Sequence, residues 1–168
     1  MKPVRAVTAG IIISLFAGPA MAAPASDFGG LAICSTLKAM PRNYRPGECS
    51  ARNPLKGECR FSITSQGRQI DYLIENGVVI DKVVKLRAGA RSPGPFGIVR
   101  GEAQESAARK IWRSTKLTTR YWTDSEDADA GYLQSDDVGC GRNKSYTVYV
   151  WFRHGRAESV SVSTLPAI

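Results

Sequence analysis

Residues 70–86, IDYLIENGVVIDKVVKL, and residues 146–163, YTVYVWFRHGRAESVSVS, decide the fold. In the first, Ile70, Tyr72 and Ile74 alternate with polar neighbours such as Asp71, Asn76-Gly77 is a strong signal for a tight hairpin, and Val78 to Leu86 is β-branched and apolar. In the second, Tyr146, Val148, Val150 and Phe152 alternate with Thr147, Tyr149, Trp151 and Arg153. His154-Gly155 turns the chain, and Val160 and Val162 then alternate with Ser159, Ser161 and Ser163. Period two means strands with one face turned to a core. Both segments therefore read as antiparallel hairpins.

Upstream, Cys59, Phe61 and Ile63 alternate with Arg60, Ser62 and Thr64 before Gly67, which adds a third strand to the first hairpin. Leu31, Cys34, Leu37 and Lys38 recur at three- and four-residue spacing, predicting a short helix over Leu31–Met40 stopped by Pro41. Ala103, Ala107, Ala108, Ile111 and Trp112 predict a second helix over Glu102–Arg113. Residues 41–58 and 88–97 are rich in Pro and Gly and read as loops. Leu117–Thr123 reads as a strand, with weaker signals from there to Cys140. The expected class is α+β, an antiparallel sheet with two helices packed on one face. Helix followed by strands occurs twice, over residues 31–87 and 98–165, as an internal αβββ duplication would produce.

At 168 residues the chain suits a single domain, expected over 31–168, and excludes a large multidomain enzyme. With 43% hydrophobic residues it is too apolar for a disordered chain. Lys2 and Arg5, the apolar run Ala6–Ala17 and Ala20-Met21-Ala22 read as a signal peptide, residues 1–22, cleaved after Ala22. Residues 23–30 then form a flexible leader. No transmembrane segment is expected in the mature chain, and a periplasmic or secreted location follows. Cleavage lowers the net charge of +8 by two, so the product stays basic.

Export places Cys34, Cys49, Cys59 and Cys140 in an oxidising space, where four cysteines imply two disulfides. Three connectivities are open; Cys34–Cys49 with Cys59–Cys140 is preferred because the second bridge would staple the two halves. Zinc is disfavoured, since there is no C-x-x-C and only one His. Asp127-x-Asp129-x-Gly131 falls short of a calcium loop, lacking a further acid at the right step and a closing Glu. No metal or cofactor is expected.

Pleat alternation that sends Val148, Val150 and Phe152 into the core puts Tyr149, Trp151 and Arg153 on the opposite face, where Trp122 and Arg120 join them from a neighbouring strand. Tyr, Trp and Arg dominate binding hot spots. Alternatively, the tryptophans are simply buried. A basic stretch (Lys38, Arg42, Arg45, Arg52, Lys56, Arg60) suits an acidic envelope polymer as a further partner. Nucleic acid is not expected, because no binding module is recognisable.

The hairpins with a central Gly, the second helix and the loop-to-helix run Pro95-Phe96-Gly97-Ile98 to Gly101 resemble the tandem α/β repeat of secreted β-lactamase inhibitor proteins and of the small lipoprotein of the outer-membrane barrel assembly machinery. The resemblance covers residues 59–164 and implies helices on one sheet face and an aromatic-bearing face turned to a protein partner. Cysteine placement and the basic, proline-rich loop depart from it. The sequence thus reads as an exported non-enzymatic binding protein, a hydrolase inhibitor or envelope adaptor. The alternative is a small secreted ribonuclease or cell-wall hydrolase using His154 with Arg and Glu. Ser35-Thr36-Leu37-Lys38 matches S-x-x-K, but the S-D-N and K-T-G companions are absent.

Overall fold

A computed structural model describes residues 27–166 except 46, 50–54, 91 and 142. The expected signal peptide, residues 23–26 of the expected leader and Arg52 lie outside the described residues. The strands are β1 (Tyr44–Arg45), β2 (Glu58–Ser65), β3 (Arg68–Glu75), β4 (Val78–Lys85), β5 (Thr119–Thr123), β6 (Ala130–Ser135), β7 (Val138–Gly141), β8 (Lys144–Arg153) and β9 (Arg156–Ser163). They form an antiparallel sheet in the order β1-β2-β3-β4-β9-β8-β6-β5, with β7 paired to β8 off this path. One α-helix, α1 (Gln104–Thr115), is present among the described residues.

Both diagnostic hairpins turn on consecutive left-handed residues, Asn76-Gly77 (φ 48° and 77°) and His154-Gly155 (φ 48° and 68°), a backbone twist that matches the strands. Each also carries a bulge three residues after its Gly. Ile74 faces Val79 while Leu73 faces Asp81, which leaves Ile80 unpaired in register. Phe152 faces Ala157 while Trp151 faces Ser159, which leaves Glu158 unpaired. A one-residue insertion reverses the facing of everything after it. The core side therefore receives Val79, Lys82 and Val84 from β4, and Ala157, Val160 and Val162 from β9.

The two-helix expectation fails at Leu31–Met40, because the chain there is not helical. Cys34 adopts φ 63°, incompatible with a helix interior. The segment gives its hydrogen bonds to the start of β4 instead: Cys34 N–H donates to Val79 O (2.8 Å), Val79 N–H to Ser35 O (2.9 Å) and Leu37 N–H to Gly77 O (2.6 Å). Residues 27–37 form a strap over the first half of the sheet, with Phe28 and Ile33 buried in the core. Lys82, 1% exposed, forms an ion pair with Asp27 and donates to the carbonyls of Phe28 (2.9 Å), Gly29 (3.3 Å) and Leu31 (3.1 Å). Burial pulls the Lys82 ammonium below its ordinary pKa, while Asp27 pushes it back up. Leu31 N–H donates to Tyr72 Oη (3.0 Å) and Ile33 N–H to Asp27 Oδ2 (3.0 Å).

Helix α1 packs over the second half through Ala107 and Ile111. Glu102, just before it, ties down its start. Its carboxylate accepts from Lys110 Nζ (2.7 Å), Ser106 Oγ and Val99 N–H (3.0 Å). Burial raises the Glu102 pKa, but these partners outweigh it and hold the carboxyl below the usual range.

The bridges are Cys34–Cys140 and Cys49–Cys59, not the preferred pairing. The reason is local. Glu48 N–H donates to Arg60 O (3.1 Å), which lays Cys49 beside β2 with its Cα 4.7 Å from that of Cys59. Cys34, held by the strap at the start of β4, then lies 6.1 Å from Cys140 on β7. A staple between the halves does exist, but it starts from Cys34. No helix among the described residues is long and apolar enough to cross a membrane.

Candidate binding face

On the side of the sheet opposite α1 and the strap, strand register lines up three cross-strand rows. One runs Trp122, Tyr132, Trp151, Ser159, Lys85. The next runs Arg120, Gln134, Tyr149, Ser161, Val83, Asp71, Ser62. The third runs Thr147, Ser163, Asp81, Leu73, Arg60. The aromatic end is compact: the Tyr132 and Trp151 ring centroids are 5.0 Å apart, and Tyr149 lies 5.8 Å from Tyr132 and 6.0 Å from Trp151.

Trp122 is 48% exposed, Trp151 is half-buried and Tyr149 is 2% exposed. Of the five residues expected on this face, Trp122 and Trp151 therefore front the row, with Tyr132 between them. Tyr149 supports it from behind, its hydroxyl donating to Leu165 O (3.4 Å). Trp151 Nε1 donates to Ser161 Oγ (3.1 Å), which fixes the indole. Arg120 is exposed one row away. Arg153 is exposed at the end of β8, 4.0 Å from Glu158.

Sequence reasoning missed Tyr132. Its strand opens with Ala130-Gly131, which has little strand propensity. Gly131 is nevertheless required there, because a Cβ would collide with the Tyr121 hydroxyl and the Trp122 carbonyl. The signal available was Tyr132 and Gln134 alternating with Leu133 and Ser135.

At the other end of the face a groove of about 560 Å³ is lined by Arg60, Asp71, Leu73, Asp81, Val83 and Leu165 among others. Asp71 and Asp81 are diagonal neighbours here. Asp71 Oδ1 accepts from Ser62 Oγ (2.6 Å) and Gln69 Nε2 (3.0 Å). Burial pushes the Asp81 carboxyl up to about 6, against the lowering effects of the Ser163 hydroxyl, the Lys82 backbone and Arg60.

His154 occupies its turn with its side chain 70% exposed and Nδ1 3.3 Å from Asp129 Oδ2. Glu158 turns instead to Arg100 (3.6 Å) and Arg153. The acidic loop before β6 folds onto itself: Asp124 Oδ1 accepts from Glu126 N–H (2.8 Å) and Asp127 Oδ1 from Asp129 N–H (3.0 Å), ordinary Asx turns. No group of three or more His, Cys, Asp or Glu among the described residues could hold a metal ion. Ser35 Oγ, the serine of the S-x-x-K match, donates to Ala32 O (2.6 Å).

No family model, curated protein or solved structure matches the chain.

Proposed function

We propose that this chain is an exported, non-enzymatic binding protein that docks a protein partner on the row Trp122, Tyr132 and Trp151, with Arg120 and Arg153 at its margins. An inhibitor of a hydrolase or an envelope adaptor is the form this takes. The observation that carries the reading is the pair of tryptophans on β5 and β8, aligned with Tyr132 by strand register in one cross-strand row. Aromatic groups held rigid before binding lose little conformational entropy on contact. Two disulfides fit an oxidising compartment, and a periplasmic or secreted location belongs to this proposal.

The test uses the oxidised chain from Ala23 as bait against periplasmic and secreted fractions, followed by calorimetry with the purified partner. Trp122→Ala with Trp151→Ala should weaken binding at least a hundredfold while far-ultraviolet circular dichroism stays unchanged. Undiminished binding by this double variant would refute the choice of face. The hydrolase alternative has less support, since His154 pairs with Asp129 and Glu158 faces two arginines. A hydrolytic activity abolished by His154→Ala would revive it.

A further inference from the structure

A second cavity, about 730 Å³, opens where the β2–β3 turn, the end of β4 and the loop leading to α1 meet. Its volume is that of a small-molecule site rather than of a surface dimple. Val84 and Leu86 lie buried among its lining residues, and Val99 adds a further apolar wall. Around them stand Arg68, Lys85, Arg87 and Arg100.

The charge balance of the cavity is lopsided. Its acid among the described residues is Asp71, whose Oδ1 is already taken by Ser62 and Gln69. Arg100 has Glu158 at 3.6 Å, whereas Arg68, Lys85 and Arg87 have no acidic partner among the described residues. Arg68 is the most telling of them, because its Nε is buried and has no hydrogen-bond partner. A guanidinium cannot shed its charge to escape this, and buried donors in folded proteins almost always have acceptors. Arg68 as a whole is only partly buried, so an acceptor in the cavity can reach the residue.

We propose that this cavity binds a phosphate-bearing ligand with an apolar body, its phosphate held by Arg68 and Arg87 and its body against Val84, Leu86 and Val99. Two guanidinium groups without an acidic partner favour a dianion over the single charge of a carboxylate, and guanidinium groups grip phosphate oxygens in pairs. The site is independent of the aromatic row, so either can fail without the other. A soluble phosphomonoester and a phosphate-bearing lipid share this chemistry.

Calorimetry on the oxidised mature chain with hexyl phosphate should give saturable 1:1 binding, at least tenfold tighter than with hexanoate. Arg68→Gln and the exposed Arg87→Gln should each weaken it tenfold or more, Arg68→Lys should weaken it less, and Trp122→Ala should leave it unchanged. Co-sedimentation with phosphatidylcholine vesicles containing phosphatidic acid, lost in Arg87→Gln, would assign a lipid source; hexyl phosphate binding without co-sedimentation would assign a soluble one. Absence of saturable hexyl phosphate binding, equal affinity for hexanoate, or affinity unchanged in Arg87→Gln would overturn the proposal.

Discussion

Setting Gly77 over Gly155 brings the two halves of the sheet into correspondence. Ile70, Tyr72 and Ile74 fall on Val148, Val150 and Phe152, and the bulged Ile80 falls on Glu158. On the core side the correspondence breaks where it is most deeply buried, with Lys82 in the first half and Val160 in the second. The difference follows from what covers each half. A helix satisfies its own backbone and presents an apolar stripe, so Val160 suffices beneath α1. An irregular strap arrives with carbonyls that nothing in it can pair, and a buried carbonyl needs a donor. Lys82 supplies it, to Phe28, Gly29 and Leu31 together, with Asp27 balancing its charge. A strap can replace a helix when the sheet beneath it carries a polar side chain.

The most severe way to break this comparison is to release the strap from the second half. Cys34→Ser with Cys140→Ser opens a bridge spanning 106 residues and should cost about 5 kcal/mol in the chain-entropy account, against roughly 3 kcal/mol for Cys49→Ser with Cys59→Ser, which span 10. Urea titration of the oxidised variants checks the order; a larger loss from the short bridge would contradict it. Next in size is Lys82→Met, which strands Asp27 and three carbonyls and should cost roughly 3–5 kcal/mol. Adding Asp27→Ala should recover part of that loss. The matching insult to the second half, Ile111→Ala under α1, should cost roughly 2–4 kcal/mol. If Lys82→Met proves cheaper than Ile111→Ala, the ion pair is not what fastens the strap.

The smallest expected effect sharpens the comparison on the opposite face, where Asp81 of the first half corresponds to Ser159. With its folded pKa raised from 3.8 to about 6, Asp81 keeps a proton that the unfolded chain releases. The Asp81 contribution to stability should therefore be greatest below pH 4, decline as pH rises from about 4 to about 6, and level off above, by roughly 2–3 kcal/mol at most. Asp81→Asn should flatten this decline in unfolding midpoints measured across the range. A decline that persists unchanged in the variant would move its origin elsewhere.

What sequence pattern conveyed and what it hid have physical reasons. Asn76-Gly77, His154-Gly155 and the alternation around them are local signals, and α1 lies within two residues of its expected bounds. The same alternation placed Trp151 and Trp122 together on the face opposite α1. It misled at Leu31–Met40, where helical spacing was genuine but β4 offered an unfilled edge and Cys34 a distant partner. The bulges were equally hidden, since VVIDKVVK reads as a plain strand. Lys82 and Arg68 owe their importance to residues more than fifty and fifteen positions away respectively, the strap in one case and the loop before α1 in the other. No window along the chain contains that information.

The connectivity of the bridges also bears on how the protein is made. If the chain is exported as proposed, crossing a membrane N-terminus first, Cys34, Cys49 and Cys59 arrive in the oxidising space together, long before Cys140. An oxidase that joins neighbours in order of arrival would link Cys34 to Cys49 and leave Cys59 unmatched. Reaching the native pairing then requires thiol–disulfide exchange, a step measured in seconds to hours and dependent on an isomerase. Yield in a host should accordingly follow its isomerase capacity more closely than its oxidising strength.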